Sequence, residues 1–337
     1  MRFLIITHVF HKRRSNQFFG YAPYVNEMNV WLKYADKIEV VAPFVKEQPN
    51  RIETAYNHEN ITFTQIPSIA FTSLKQRLLS LFRIPIISWK IFFACKRADH
   101  IQLRCPGNIG LLGCLVQIFF PNKTKTAKYA GNWDPESKQP LSYRLQKWIL
   151  GNTFLTRNIK VLVYGDWKGQ TKNIKSFFTA TYNNFEIETP LKRDYSGHLN
   201  FMFVGGLVEG KRPLFAVKIV EELHKQGKFV HLDVYGDGPL KANLREFIKN
   251  HKLESVVVLH GNQSKDIIKS AFKTAHFSIL PSKSEGWPKA IAEAMFFGVE
   301  LIRYAISYWL ALLAGWKKSA YRSIIDQSFM EKGDKFY

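Results

Sequence analysis

The chain has 337 residues, 46% of them apolar, which is enough to bury two ordinary cores and excludes a disordered protein. Its formal net charge is +21, with 26 Lys and Arg against 12 Asp and Glu in residues 1–190 and 22 against 15 thereafter; a field of that sign attracts phosphates of nucleic acid, lipid headgroups or a diphosphate-bearing substrate without choosing among them. The three cysteines Cys95, Cys105 and Cys114 have neither paired spacing nor His partners at zinc-finger distances, which argues against a disulfide framework or structural zinc and fits a reducing cytoplasm.

The opening MRFLIITHVFHKRR is too short for a signal peptide or a spanning helix and reads as a first buried strand. Strands are expected near 2–7, 38–42, 60–66, 100–104, 125–131 and 159–163, with helices near 22–34, 71–97, 108–119 and 140–152. A polar, pattern-poor stretch at 183–198 interrupts the alternation. It restarts with strands at 199–204, 229–235, 255–259 and 276–280 and helices at 213–226, 239–251, 264–274 and 288–297. This order predicts an α/β protein of two Rossmann-like domains with parallel sheets, divided as 1–185, 186–299 and a tail 300–337. The apolar stretches 84–95 and 304–316 fall short of the ~20 residues a membrane span needs, so none is expected.

Ligands of open parallel sheets collect beyond the carboxyl ends of the strands. There the first domain carries His8, His11, Arg104, Asn132, Asp134, Tyr164 and Gly165; the second carries Gly205, Gly206, Gly236 to Pro239, Gly261, Asn262 and Ser282 to Glu285. The run PSKSEGWPKAIAEAMFFG, 281–298, places Pro288 at a helix start that Ser284, Glu285 or Gly286 could cap. Amides at such a start suit a phosphate. Glu285 stands at the mouth and Glu293 roughly 8 Å further along the axis, so each could grip a different diol of one extended ligand. An acidic cap with a solvent-facing glutamate gives the same pattern.

FVGGLVEGKRP, 203–213, puts paired glycines and the cations Lys211 and Arg212 between a strand and a helix. Packing alone can also demand such glycines. The stretch misses a P-loop because Arg212 stands where Ser or Thr would hold magnesium, and no G-x-G-x-x-G follows the first strand as a dinucleotide enzyme would require. VYGDGPLKANL, 234–244, is a tight turn into a helix.

Taken together, EGWPKAIAEAMFFG resembles the E-x7-E segment of family 4 (group 1) glycosyltransferases of the GT-B superfamily, FVGGLVEGK their V-G-R-L-x-x-x-K segment, and GDGP their G-x-G-P turn, in the family's order. The resemblance covers about residues 199–299 and implies two Rossmann-like domains facing each other across a cleft. It implies a retaining transfer of sugar from a nucleoside-diphosphate sugar to a glycan or lipid-linked acceptor. By the match Glu285 binds donor-sugar hydroxyls, Glu293 the ribose, and Gly205, Gly206, Lys211, Arg212, Gly236, Gly238, Gly286 and Trp287 line the donor. The family's usual arginine is replaced by Gly206, a charge Arg212 is expected to take over.

At YAGNWDP, where relatives often carry a histidine, this chain has Asn132, Trp133 and Asp134. Asp134 is a candidate proton acceptor beside Glu285 as the second catalytic candidate, and Trp133 could stack on a sugar; a structural Asx turn before Pro135 is the other reading. His8, Arg104 and Asn132 are acceptor-side candidates. No D-x-D triplet occurs, so no metal or other cofactor is expected. The basic apolar stretch 71–97 could lie on an anionic membrane or pack as a crossover helix, which makes a cytoplasmic enzyme on the inner face of the cell membrane an expectation. Nucleic-acid binding lacks any recognition motif.

After Gly298 the family's strand and glycine-rich loop are not recognisable, so the second domain reads as incomplete. A frame shift near residue 299 or 300 and a divergent C-terminal helix are the two explanations. With them comes the alternative of a non-catalytic nucleotide- or glycan-binding relative.

Overall fold

The computed structural model describes residues 1–69, 74–177, 182, 186, 188–283, 285 and 287–302. Ser284, Gly286 and the expectation for residues 303–337 lie outside the described residues.

Seven strands form the first sheet: β1 Arg2–Ile6, β4 Lys37–Pro43, β6 Ile61–Ile66, β7 His100–Cys105, β8 Thr124–Tyr129, β9 Ile159–Val163 and β10 Ile174–Ser176. All its pairings are parallel, in the order β10-β9-β8-β7-β1-β4-β6. The near-continuous apolar runs of β1 and β4 are what a strand covered by helices on both faces requires. Helix α1, Ala22–Leu32, buries Tyr24, Val25, Met28 and Leu32 against one face. The other face is covered by α2, Leu74–Arg97, α3, Asn108–Val116, and α4, Leu141–Gly151, through Ile87, Ile91, Ala94, Ile109, Ile149 and Leu150.

The second sheet is also all-parallel: β11 Leu199–Val204, β12 Val230–Tyr235, β13 Val257–Gly261, β14 Phe277–Ile279 and β15 Glu300–Ile302, in the order β13-β12-β11-β14-β15. It has its own core, built with helices α5 Pro213–Lys225, α6 Lys241–Asn250, α7 Lys265–Thr274 and α8 Lys289–Phe296.

Several expectations are corrected. The basic run after β1, where no element was expected, pairs: β2 Lys12–Arg14, β3 Gln17–Tyr21 and β5 Glu53–Ala55 make a small antiparallel sheet. A strand does follow α8, since β15 pairs in register with β14 through Leu301 and Ser278. Helix α8 begins at Lys289 and its N-cap is Pro288, which has no side-chain acceptor to offer, while Glu285 pairs with Lys211. Finally, Leu78–Arg97 is long and apolar enough by length and composition to cross a membrane, although Ile87, Ile91, Ala94 and Cys95 on it are fully buried in the protein.

Candidate functional site

In each sheet the chain first builds outward on one side and then crosses back, creating a switch point where connections diverge. In the first sheet that point lies between β1 and β7, and in the second between β11 and β14. His8 follows β1, Arg104 lies near the end of β7, Gly205 and Gly206 follow β11, and Ser282 to Glu285 follow β14. The topology therefore supplies a physical reason for the clustering that strand ends only suggested.

On the second sheet the three motifs are joined by backbone hydrogen bonds. Gly205 N donates to Tyr235 O at 3.0 Å, Leu207 N to Asp237 O at 3.0 Å, and Lys283 N to Gly210 O at 2.9 Å. A Cβ on Gly236, whose φ is 144°, would land on Gly205 O, and one on Gly238 would lie 2.6 Å from Leu207 O. These two glycines are required by the closeness of two backbones. A Cβ on Gly206 would meet nothing within 4 Å, so packing does not demand that glycine.

Lys211 closes a single tight helical turn, Glu209–Lys211, and its ammonium forms an ion pair with the largely buried Glu285 carboxylate. Arg212 sits in the left-handed region at φ 52° as the N-cap of α5, its guanidinium 4.9 Å over the Phe215 ring. Glu293 lies half-buried on α8 and raises the pKa of Tyr21, after burial, and of Tyr182, after burial, by its negative charge. Trp287 stacks on Tyr164 at 6.1 Å between ring centroids, an aromatic contact between the two sheets' ends.

The first-sheet candidates divide. His8 packs so tightly on residue 107 that a Cβ there would lie 2.8 Å from His8 Nδ1; burial and then the Arg104 charge lower its pKa. Asn132 Oδ1 accepts from Asp134 N, and Asp134 Oδ1 from Glu136 N, both at 2.9 Å, which is Asx-turn geometry. Lys147 Nζ pins the same loop through Trp133 O at 2.8 Å and Asp134 O at 2.9 Å. Trp133 is buried edge-on against Tyr129, so the indole face expected to stack on a sugar is packed in the core.

Sequence reasoning missed Glu27, Lys128 and Lys289. Lys128 Nζ is 2.7 Å from Glu27 Oε1, and Arg104 Nη1 is 3.6 Å from Glu27 Oε2. The available signal was a lysine inside a strand, TKTAKY, whose neighbours are all buried.

Residues 192–314 match the family model described as glycosyl transferases group 1. This part of the chain is similar to the group 1 glycosyltransferases. Over 102 residues, 30% of this chain and 20% of the other, it is 32% identical to the GtfA subunit of the UDP-N-acetylglucosamine–peptide N-acetylglucosaminyltransferase of Streptococcus pneumoniae. It is 24% identical to Protein CapJ of Staphylococcus aureus over 289 residues, 80% of this chain and 71% of that one. Among solved structures, the glycosyltransferase WaaG, involved in lipopolysaccharide biosynthesis, superposes with a TM-score of 0.60 at 11% identity over 94% of this chain and 84% of that one. The architecture is therefore GT-B, and the Lys211–Glu285 pair lies within the segment that the group 1 family model matches.

Proposed function

We propose that this glycosyltransferase moves a sugar from a nucleoside-diphosphate sugar to a glycan or lipid-linked acceptor with retention of anomeric configuration, using residues 186–299 for the donor and 1–185 for the acceptor. The observation that carries the reading is the Lys211–Glu285 ion pair at the switch point of the second sheet. The carboxylate holds the ammonium in place. A diphosphate would compete for Lys211 and free Glu285 for the sugar hydroxyls, while Glu293 takes the ribose. Stabilising the leaving diphosphate with a fixed cation and the α8 amides is electrostatic catalysis that requires no metal. A uridine donor is favoured by the GtfA relative, whose name specifies UDP-N-acetylglucosamine.

The acceptor is proposed to be presented at an anionic membrane. Leu78, Leu81, Phe82, Ile86 and Trp89 recur along one stripe of α2 and are exposed, Phe82 at 76% and Trp89 at 67%. Arg83, Lys90 and Lys96 lie along the same helix, so apolar insertion and attraction to acidic headgroups act together.

Thermal-shift and donor-hydrolysis screening against a panel of nucleotide sugars tests the donor reading. One or more uridine-diphosphate sugars should raise the melting temperature and be turned over. Binding without turnover on any acceptor would instead identify a binding relative, and no binding at all would remove the donor site.

A further inference from the structure

Arg104 and Lys128 are direct cross-strand partners on β7 and β8. Like charges directly opposite each other on one face of a sheet are destabilising, and these two share one carboxylate, Glu27 of α1. The Lys128 side chain is 1% exposed and its ammonium is also 4.5 Å over the Phe177 ring and 5.4 Å over the Tyr164 ring. Arg104 lies 5.3 Å over the buried Tyr24 ring. Lys128 Nζ has Glu27 Oε1 at 2.7 Å, whereas Arg104 Nη1 is buried and, among the described residues, makes no hydrogen bond, its nearest carboxylate contact being the 3.6 Å ion pair to Glu27. A polar group in that state costs about 1–3 kcal/mol, more when charged, unless a ligand satisfies it.

A third cation comes from the other domain. Lys289 opens α8 two residues after Trp287, which stacks on the same Tyr164 that Lys128 faces. Its ammonium feels Glu27, Arg104 and Glu293, and Lys128 in turn feels Lys289, which places the four groups in one electrostatic neighbourhood. Arg104 and Lys128 thus meet around Glu27 at the switch point of the first sheet, and Lys289, at the start of α8, lies within the electrostatic range of all three.

We propose that Arg104, Lys128 and Lys289, held in register by Glu27, form a phosphoryl-binding subsite on the acceptor-side wall of the cleft. This inference rests on the glycosyltransferase reading only for what supplies the phosphoryl group. One source is the donor's diphosphate, clamped from across the cleft, where Gly206 leaves the family's usual arginine missing. The other is a phosphate on the acceptor.

The test uses the full chain and inorganic phosphate, titrated against chloride at matched ionic strength and read by calorimetry and melting temperature. Phosphate should stabilise the wild type, and Lys128→Met and Arg104→Gln should each bind it on the order of tenfold more weakly, the loss of one charge-assisted hydrogen bond. Lys128→Met should melt no lower than wild type in phosphate-free buffer, because Glu27 keeps Arg104 and a like-charge contact disappears. A purely structural lysine would lower the melting temperature and leave the phosphate response intact. Equal responses in wild type and both variants, or none in the wild type, overturn the proposal.

Repeating the titration with saturating uridine diphosphate separates the sources. A phosphate response that vanishes, with uridine diphosphate itself binding Lys128→Met more weakly, assigns the subsite to the donor; a response that persists assigns it to the acceptor. Lys211→Ala keeps the two readings apart: it should weaken uridine diphosphate and spare inorganic phosphate. Were uridine diphosphate not to bind the wild type, the donor reading would fall while the phosphate titration still judged the cluster.

Discussion

Lys211, Glu285 and Glu293 stand close enough in role to be separated by substitution. Lys211→Ala and Glu293→Ala should each weaken nucleoside-diphosphate binding by about 1–3 kcal/mol, the cost of losing a hydrogen bond to a charged group; unchanged calorimetric affinity in both would remove the donor assignment. His11 supplies a pH prediction. Its Nδ1 contacts Val9 O and its Nε2 the Tyr56 hydroxyl, both at 2.8 Å, so the neutral ring with Nδ1–H donating satisfies both, and burial lowers its pKa to about 4. Between the unfolded value of 6.5 and 4 the unfolded chain takes up a proton that the fold refuses, so stability falls as pH falls through that window. His11→Gln should flatten the acid limb of the stability profile relative to wild type, by about 3 kcal/mol at most. An identical acid limb in the two proteins would count against a buried neutral imidazole. Neither ion pair nor imidazole burial was visible in the residues' order: the E-x7-E spacing located Glu285, but its partner sits 74 residues away.

The elements carry two further predictions. Gly236→Ala should cost about 3 kcal/mol or more, because the added carbon meets a carbonyl of another turn at a backbone angle side chains rarely adopt. A melting temperature within a degree or two of wild type would mean the two turns are not packed as described. The glycine was legible as a turn, whereas its necessity comes from β11 lying alongside. Arg193 shows the same limit. It lay in the pattern-poor linker, yet its guanidinium donates to Ala275 O and Gly298 O at 2.7 Å and to Phe297 O at 2.9 Å, tying the linker to the ends of α7 and α8. On α2, Phe82→Glu with Trp89→Glu should abolish flotation with anionic vesicles and leave nucleotide affinity intact, and wild-type flotation should fall as salt rises. Flotation indifferent to lipid charge and salt would sink the membrane proposal.

At the scale of the whole molecule, two cores share no strand, and the Tyr164–Trp287 stack joins the two sheets' ends. Trp287 is also among the proposed donor-binding residues. Nucleoside diphosphate should therefore change tryptophan fluorescence in the wild type and much less in Trp287→Phe; equal changes would place the reporting indole elsewhere. The +21 net charge contributes here as well, since the cleft's first wall gathers Arg104 and Lys128 around one carboxylate. That concentration was not readable from the charge count, because most lysines on a basic protein are solvated.

The sequence by itself determined the class of fold, the order of the helices and of the longer strands, and the places of the glycine-rich and E-x7-E segments after strands, because hydrophobic period, helix-start residues and glycine turns are local properties expressed within a few residues of chain. It missed the hairpin of β2 and β3, where charge masked strand pairing, and the three-residue strands β5, β10 and β15, too short for any period to declare. Only the tertiary structure decided which charges meet. Lys211 with Glu285, and Arg104 and Lys128 around Glu27, are brought together by parallel strands and crossovers that join residues far apart in the chain. Likewise, only packing turned Trp133 into the core and left the Phe82–Trp89 stripe of α2 outside, since burial is a property of what surrounds a residue and not of its own chemistry.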